Sequence, residues 1–306
     1  NNFIPQVTQF DLADITELED WRNELKGNFK KEGISLTIMA FIIKAVAYLL
    51  KEEREFAGHL SDDGKSVLIN TDYKSNFNYL AYFDLNAAEI GPPIYQVEGH
   101  DIDSVITKAG RLVGYGFTKD YYEQLFIDPK QLQRNQQIKA LMPDRHSYIT
   151  SYSDDGDRVV IYSVKDNQPG RFLTLDFKTK QADLWFSQYP HLELTAMSQV
   201  NPIQFQSRDG LKIHGYLTIP VQKAGPVPVI LFPHGGPVSR DDKDFDPFVQ
   251  FFSAMGYAVL QVNFRGSSGY GNDFEIAGYQ QWGLKMQDDL MDAMDAVSSN
   301  PDLDIK

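Results

Sequence analysis

The chain has 306 residues, of which 42% are hydrophobic and 13% aromatic, enough to bury the cores of two or three domains. Its formal charge of −13 argues against nucleic acid or an anionic membrane as a partner, because both repel an acidic protein. The absence of cysteine excludes disulfides, thiolate metal sites and a cysteine nucleophile.

Targeting signals are not visible in the sequence. The first residue is Asn1, and nothing near it reads as a signal peptide. The longest apolar run, Leu36 to Leu50, is interrupted by Lys44 and is too short to span a membrane. We therefore expect a cytoplasmic protein without a membrane segment, a cofactor or a metal site.

The first 60 residues predict a strand and two helices. Residues 6–11 alternate as in an exposed strand. Asp14 is a candidate N-cap, with Glu17 three positions later, and helical spacing of apolar residues continues to Lys31. Residues 36–53 predict a second helix, which is apolar enough that it must be buried or paired.

The strings at residues 5–19 and 41–47 closely resemble the catalytic domain of the dihydrolipoamide acyltransferases of 2-oxo acid dehydrogenase complexes. The resemblance covers residues 1–60 and only the beginning of that domain. It implies coenzyme A binding and trimer assembly, with a catalytic histidine in an Asp-His-Arg motif. Asp144-Arg145-His146 has these residues in another order and in another region. Acyl transfer is therefore supported by no residue of the chain.

Residues 61–197 predict an all-β region. The string Ser61-Asp62-Asp63-Gly64 recurs as Ser153-Asp154-Asp155-Gly156. The interval between the two copies equals two units of about 46 residues each, and this is a usual length for a four-stranded propeller blade. Asp and Gly supply a turn before a strand, whereas a calcium loop would need further spaced ligands. The predicted strands are residues 66–70, 79–85, 94–97, 104–107, 111–117, 124–128, 159–164, 171–176 and 182–186. About three blades fit, and a closed propeller needs at least four.

Residues 198–306 predict half of an α/β domain. A hairpin at residues 203–219 leads to two continuous apolar runs, 227–232 and 257–264, which are typical of parallel strands covered on both faces. Helices are predicted at residues 245–255 and 283–297. Both apolar runs end in glycine-rich breaks, and ligands of such sheets lie at the carboxyl ends of strands. Glycines there let backbone N–H groups approach a substrate, as in an oxyanion hole.

Three motifs resemble the catalytic domain of the prolyl oligopeptidase family, nearest its acylaminoacyl-peptidase branch. They are His-Gly-Gly-Pro at 234–237, the run at 263–271, and Trp-Gly at 282–283 followed by Asp288-Asp289. The resemblance implies a β-propeller that caps an α/β-hydrolase and admits short peptides. The implied oxyanion-loop residues are His234, Gly235, Gly236 and Pro237. The implied cleft-wall residues are Arg265, Gly266 and Tyr270, although a structural ion pair is the favoured interpretation of Arg265.

That family carries its nucleophile on a Gly-x-Ser-x-Gly elbow, followed by Asp and then His. The elbow is absent from the 306 residues, because neither Ser267 nor Ser268 has glycine at both required positions. We therefore expect all three triad residues beyond Lys306. Two families that meet near residues 60–66 indicate an artificial or misassembled fusion, with natural recombination as the alternative.

The remaining candidates have mainly structural interpretations. None of the six histidines has metal-ligand spacing; they are His59, His100, His146, His191, His214 and His234. Tyr270 and Trp282 are expected to be packing residues, and Asp288 and Asp289 to anchor loops or face solvent. The six aspartates of the last 21 residues are read as a solvated face, with a cation site as the alternative.

Taken together, the sequence predicts a multidomain chain: residues 1–60 as an α+β acyltransferase-like fragment, 61–197 as a partial β-propeller, and 198–306 as a partial, doubly wound α/β-hydrolase sheet. The predicted function is that of a serine peptidase acting on short peptides, incomplete and inactive in these residues alone. The alternatives are an acyltransferase fragment or a non-catalytic propeller binding module. Open sheet edges predict self-association.

Overall fold

A computed structural model describes residues 14–31, 36–52, 61, 64–108, 111–192 and 197–305. The predicted strand at residues 6–11 and His59 lie outside these ranges. The chain forms two compact units, one of residues 1–69 and 82–92 and the other of residues 70–81 and 93–306. The predicted domain borders near residues 60 and 198 stay predictions. Across the described ranges, no helix combines the length and the apolar character that a membrane crossing requires.

The first unit contains two helices, α1 (Thr16–Lys31) and α2 (Ile38–Glu52). The predicted cap is present, since the Asp14 carboxylate accepts a hydrogen bond from the Thr16 N–H at 2.9 Å. Trp21 of α1 packs against Phe41 of α2, with ring centroids 5.6 Å apart. Away from this contact, side chains of α2 are exposed within this chain, so the prediction of a covering partner for them stays a prediction. Those exposed are Met39, Ile42, Ile43, Val46 and Tyr48.

Three short strands of one sheet follow: β1 (Ser66–Thr71), β2 (Tyr79–Asp84) and β3 (Glu89–Ile90). In the first unit, Phe83 of β2 pairs with Ile90 of β3. The predicted strand at residues 94–97 is wrong, because only isolated bridges form there, Leu80 with Tyr95 and Val97 with His100. Pro92 and Pro93 come just before it, and proline has no N–H to donate to a ladder.

Two antiparallel sheets make up the blade-like part of the second unit. The three-stranded sheet has the order β4-β5-β6, and the four-stranded sheet has the order β10-β9-β8-β7. Their bounds are β4 (Ser104–Lys108), β5 (Arg111–Thr118), β6 (Tyr122–Phe126), β7 (His146–Tyr152), β8 (Arg158–Lys165), β9 (Gln168–Asp176) and β10 (Gln181–Ser187). Strand β7 was not predicted. The second sheet is a four-stranded meander, the form expected of one propeller blade.

The second copy of the Ser-Asp-Asp-Gly string is a turn, as predicted, whereas residues 62–63 of the first copy lie outside the described ranges. The Gly156 N–H donates to the Ser153 carbonyl at 2.7 Å, and the Gly64 N–H donates to the Ser61 carbonyl at 2.8 Å. Both glycines have positive φ, 69° at Gly156 and 65° at Gly64. The second copy connects β7 to β8, so the motif turns the chain between two strands of one blade.

Helix α3 (Pro129–Leu141) interrupts the region that was predicted to be all-β. Pro129 lies in its first turn, and the Asp128 carboxylate caps the Gln131 N–H at 2.9 Å. Its buried face is mostly polar, with Ile138 as the apolar exception. Arg134 on this face donates to the Gly156 carbonyl and to Asp157. Since the buried face lacks an apolar stripe, the helix gives little periodic signal in the sequence.

The five-stranded sheet has the order β11-β12-β14-β13-β15. Its strands are β11 (Val200–Gln206), β12 (Lys212–Thr218), β13 (Val227–Leu231), β14 (Ala258–Asn263) and β15 (Leu303–Asp304). β11, β12 and β14 pair antiparallel, whereas β13 is parallel to both β14 and β15. The sheet thus begins as the predicted hairpin and continues as the predicted parallel sheet. All six residues of β14 are buried, whereas β13 is only partly buried.

Three helices accompany this sheet: α4 (Pro247–Ala254), α5 (Asn272–Ile276) and α6 (Lys285–Val297). The Asp246 carboxylate caps α4 by accepting from the Phe248 and Val249 N–H groups at 2.7 and 3.0 Å. The core between sheet and helices includes Val262 of β14 and Ala293 of α6, which are both fully buried. This packing fixes the carboxyl ends of β13 and β14, where the glycine-rich turns begin.

Candidate functional site

The first turn, residues 233–237, begins two residues after the end of β13. The Phe232 N–H still donates to the Leu260 carbonyl at 2.8 Å, so the strand direction is held up to the turn. Gly236 has φ +130°, and a Cβ built there would lie 2.8 Å from the Val238 nitrogen. A Cβ at Gly235 would meet nothing within 4 Å. Gly236 is therefore the position at which the turn requires glycine.

His234 is held on both sides of its ring. Nδ1 lies 2.7 Å from the Gly235 carbonyl oxygen, and Nε2 lies 2.8 Å from Ser267 Oγ. The ring is stacked on Phe264, with centroids 4.6 Å apart and planes 13° from parallel. Burial lowers the pKa of His234, the hydrogen bond with Gly235 opposes this, and the charge of Arg240 adds to the lowering. Sequence reasoning missed the contact with Ser267.

Ser267 and His234 have the spacing of a nucleophile and its base, yet this serine is unsuited to attack a substrate. Ser267 is fully buried, and its Oγ also lies 2.6 Å from the Phe264 carbonyl oxygen. A nucleophile must reach a substrate, and the hydroxyl proton here goes to a backbone carbonyl. The serine is part of the framework of the turn.

The second turn begins at Arg265, two residues after the end of β14, and is held by a buried ion pair. Arg265 is 4% exposed and donates from Nε and from a terminal nitrogen to Asp289, at 2.8 and 2.7 Å. It also donates to Asp209 at 2.8 Å. Asp289 is fully buried on α6 and also accepts from the Arg265 N–H. These partners raise the pKa of Arg265 further, so its charge is permanent.

The ion-pair interpretation of Arg265 is therefore confirmed, and its role in a cleft wall stays a prediction. Gly266, predicted for the same wall, has φ +94°, and a Cβ there would lie 2.7 Å from the Met286 Cε. Its N–H donates to the Phe274 carbonyl at 2.9 Å. Gly266 thus allows the second turn to pack closely against α5 and α6, because a side chain at this position would contact Met286.

Tyr270, the third predicted wall residue, joins the second turn to the segment after the first. Its hydroxyl accepts from Asn263 Nδ2 at 2.7 Å and from the Arg240 guanidinium at 3.0 Å. The His214 ring is stacked on it at 4.5 Å. Burial lowers the pKa of His214 to about 4, so this histidine is neutral at physiological pH. Tyr270 and His214 have the structural roles expected for them.

A cavity of about 270 Å³ opens beside the first turn. His234, Gly236 and Phe264 form one side, and Met286 and Gln287 of α6 form another. Trp282 stands at this cavity and is 69% exposed, so the prediction that it is a packing residue is wrong. The reason is that the chain turns at Gly283, where φ is +68°, before α6 begins.

An acidic segment, Asp241 to Asp246, follows the first turn and was not singled out from the sequence. Burial raises the pKa of Asp241 to about 7, opposed by a hydrogen bond from Gln261. Burial and the charge of Asp242 likewise raise the pKa of Asp244 to about 7. The Asp241 N–H donates to Asn263 Oδ1 at 2.7 Å, and Asn263 Nδ2 donates back to the Asp241 carbonyl.

The aspartates near residue 300 are mostly paired with cations. Arg208 bonds both Asp288 and Asp292, at 2.9 and 2.7 Å, and Lys223 pairs with Asp302. Over the ranges that the structure describes, no cluster of three or more histidine or acidic side chains is arranged to hold a metal ion. The expectation that Asp289 anchors a loop is confirmed by its bonds to Arg265.

Comparison with known proteins identifies both parts of the chain. Residues 243–306 match the model of the prolyl oligopeptidase family, and residues 1–75 match that of the catalytic domain of 2-oxoacid dehydrogenase acyltransferases. The chain contains a prolyl oligopeptidase-family segment and an N-terminal acyltransferase segment. The acyltransferase match extends past the predicted border at residue 60.

Individual relatives agree with this division. Dipeptidyl aminopeptidase BIII of Pseudoxanthomonas mexicana is 34% identical over 249 residues, which are 78% of this chain and 36% of that enzyme. The acetyltransferase component of the Azotobacter vinelandii pyruvate dehydrogenase complex is 45% identical over 65 residues, 21% of this chain and 10% of that protein. The chain therefore spans about a third of the length of the peptidase and a tenth of that of the acetyltransferase.

Solved structures show the same fold for the peptidase part. A Mycobacterium tuberculosis puromycin-hydrolyzing peptidase superimposes with a TM-score of 0.62 at 19% identity, covering 80% of this chain and 39% of that one. The acylaminoacyl peptidase of Pyrococcus horikoshii superimposes with a TM-score of 0.54 at 19% identity, covering 79% and 38%. The prolyl oligopeptidase-like fold thus extends well beyond residues 243–306.

Proposed function

We propose that the prolyl oligopeptidase part of the chain forms the oxyanion side of a serine peptidase that cleaves short peptides through an acyl-enzyme. The observation that carries this proposal is the first turn. It lies at the carboxyl end of a parallel strand, where substrates of such sheets bind, and it exposes two consecutive glycines. Backbone N–H groups in that position stabilise the charge of a tetrahedral intermediate.

The direction of one N–H group supports this role. The Gly235–Gly236 peptide is trans, and its carbonyl oxygen is bonded to the His234 ring. In a trans peptide the N–H points opposite to the C=O, so the Gly236 N–H points away from the imidazole. No described residue accepts a hydrogen bond from it. It is thus available to a substrate oxygen.

Under this proposal the nucleophile comes from outside the 306 residues, because they contain no Gly-x-Ser-x-Gly elbow and Ser267 is buried. Relatives named dipeptidyl aminopeptidase and acylaminoacyl peptidase support substrates with few residues. We also propose the predicted borders, with blade-like sheets in residues 61–197 as the cap of the site and residues 198–306 as its hydrolase part.

The proposal is tested with the protein expressed from the intact coding sequence. It should hydrolyse chromogenic dipeptide or acyl-amino-acid amides. Gly236→Ala keeps the backbone N–H, but its Cβ would lie 2.8 Å from the Val238 nitrogen and displace the turn. The variant should therefore lower kcat by up to about 10²-fold, the contribution of one oxyanion donor. A Gly236→Ala variant that keeps full kcat would contradict the assignment of the turn.

A second function rests on the match of residues 1–75 to the acyltransferase family. It requires coenzyme A binding by the chain. We expect no binding, because the described helices α1 and α2 contain no histidine and Arg145 and His146 lie on or next to a blade strand. Isothermal titration of the chain with coenzyme A measures this, and a micromolar dissociation constant would favour the second function.

A further inference from the structure

A chain of three hydrogen bonds connects the first turn to the second. It runs from the Gly235 carbonyl to His234 Nδ1 (2.7 Å), from His234 Nε2 to Ser267 Oγ (2.8 Å), and from Ser267 Oγ to the Phe264 carbonyl (2.6 Å). Both ends of the chain are backbone carbonyls, which only accept hydrogen bonds. Every proton in it must therefore come from the imidazole or from the serine hydroxyl.

Counting protons fixes the state of the ring that satisfies this geometry. Three links need three protons, and the Ser267 hydroxyl has one, which goes to the Phe264 carbonyl. The other two must be on Nδ1 and Nε2 of His234, which makes the ring an imidazolium. A neutral ring would leave two acceptors facing each other at less than 3 Å in one of the links.

The surroundings of the ring act in both directions. Burial is the largest influence and, with the charge of Arg240, it lowers the pKa of His234, and the hydrogen bond with the Gly235 carbonyl opposes this only in part. The surroundings thus disfavour the imidazolium that the hydrogen bonds of the two turns require. Phe264, the first residue after β14, faces the ring at 4.6 Å, which favours a cation. Met286 and Gln287 of α6, which line the same cavity, carry no charge. Arg240 is thus the one charged group among the described residues that is found to act on this ring.

We propose that Ser267 is a positioning residue for the oxyanion loop. By accepting the Nε2 proton while donating to Phe264, it fixes the imidazole so that Nδ1 holds the Gly235 carbonyl, and the Gly236 N–H is then directed toward the cavity. This inference rests on the proposed peptidase function for its catalytic consequence, whereas the hydrogen-bond chain itself can be tested without substrate.

The first test is ¹⁵N NMR of the histidine rings in the 306-residue chain. The protonated His234 ring should show a slowly exchanging Nε2 proton, because Ser267 Oγ accepts it at 2.8 Å. Ser267→Ala removes an acceptor from the charged form, so the pKa of His234 should fall by about one unit, as expected for loss of a hydrogen bond to a charged group. Ser268→Ala, the neighbouring serine, is the control and should leave the titration unchanged.

The second test is kinetic, in the protein expressed from the intact coding sequence. Ser267→Ala should lower kcat roughly tenfold with little change in KM, a smaller loss than removal of an oxyanion donor itself. Since the protonated ring is the form that holds the turn, deprotonation of His234 should give an alkaline limb in the pH profile, and Ser267→Ala should move this limb to lower pH. Ser268→Ala should keep the parent kcat and profile.

The outcomes separate the two proposals. A lowered His234 pKa in a protein that hydrolyses no peptide would leave the positioning contact standing and would reject the peptidase function. Active enzyme in which Ser267→Ala changes neither the His234 titration nor the pH profile would overturn the positioning role. If Ser267→Ala does not fold, the wild-type spectrum decides, because a rapidly exchanging Nε2 proton contradicts the bond to Ser267.

Discussion

The two glycine-rich turns follow neighbouring parallel strands, yet they are held in different ways. The second turn is fixed by Arg265, whose buried guanidinium bonds Asp289 and Asp209. The first turn is partly exposed and is fixed by His234 and Ser267, two groups without a permanent charge. The second turn is therefore a rigid support, whereas the first can depend on the protonation of a single ring.

The largest expected effect comes from breaking the support of the second turn. Asp289→Ala leaves Arg265 buried with Asp209 as its remaining acidic partner, and loss of one partner of a buried pair costs about 3 kcal/mol. Urea unfolding of the 306-residue chain measures this. Asp288→Ala is the matched control, since its carboxylate is only partly buried and pairs with exposed Arg208. If Asp289→Ala and Asp288→Ala lost the same free energy of unfolding, the buried ion pair would not be the support of the second turn.

A smaller effect is expected from strain in the first turn. Gly236→Ala places a Cβ against the Val238 nitrogen at a φ of +130°, which should cost about 1–3 kcal/mol of unfolding free energy. Gly235→Ala meets no neighbour and should cost less than about 1 kcal/mol. Chemical denaturation measures the free energy of unfolding of both variants. A larger loss in Gly235→Ala than in Gly236→Ala would contradict the described backbone of the turn.

The acidic segment after the first turn should make stability depend on pH. Burial raises the pKa of Asp241 to about 7, so the folded state binds its proton more tightly than the unfolded state does. The stabilisation that the folded state gains from the protonated Asp241 carboxyl is therefore fully present below pH 4 and is lost as the pH rises toward 7. Asp241→Asn should raise stability at pH 8 by about 1 kcal/mol and flatten this dependence.

The measurement for Asp241→Asn is the urea midpoint at pH 5 and pH 8. The exposed blade-turn residue Asp154 provides the control, because Asp154→Asn should leave the difference between the two midpoints unchanged. The prediction would be contradicted if the urea midpoint of the parent chain rose between pH 5 and pH 8 while that of Asp241→Asn stayed constant. Such a result would show that the Asp241 carboxyl is ionised in the folded state.

The smallest effect on stability is expected at the rim of the cavity. Trp282 is 69% exposed, so Trp282→Ala should change the unfolding free energy by less than about 0.5 kcal/mol. Under the proposed peptidase function the same change should raise KM for peptides in the protein expressed from the intact coding sequence, because the ring borders the cavity beside Gly236. A large loss of stability with unchanged KM would restore the packing role that the sequence suggested.

Much of the five-stranded sheet could be predicted from the sequence. The runs at 227–232 and 257–264 became β13 and β14, and the helix predicted at 283–297 begins at Lys285. The reason is that buried parallel strands are continuous apolar runs bounded by glycine. Helix α3 was missed for the opposite reason, since most of its buried side chains are polar and bond across the blade.

The contacts of the site were harder to predict than its motifs. The His-Gly-Gly-Pro turn and the Arg265 run are visible as strings, but the partners of their side chains are distant in sequence. Ser267 lies 33 positions after His234, and Asp209 lies 56 positions before Arg265. A serine between small residues gives no sign of such a partner. An aspartate in a hairpin turn, such as Asp209, reads as turn chemistry alone.

The measurement that tests the central claim most directly is labelling with a fluorophosphonate probe, followed by identification of the modified serine by mass spectrometry. We predict one labelled serine in the protein expressed from the intact coding sequence, on a Gly-x-Ser-x-Gly elbow outside residues 1–306, and no labelling of the 306-residue chain. Labelling of Ser267 or Ser268 in that chain would contradict the claim, since a serine of the second turn would then be a nucleophile and not part of the framework.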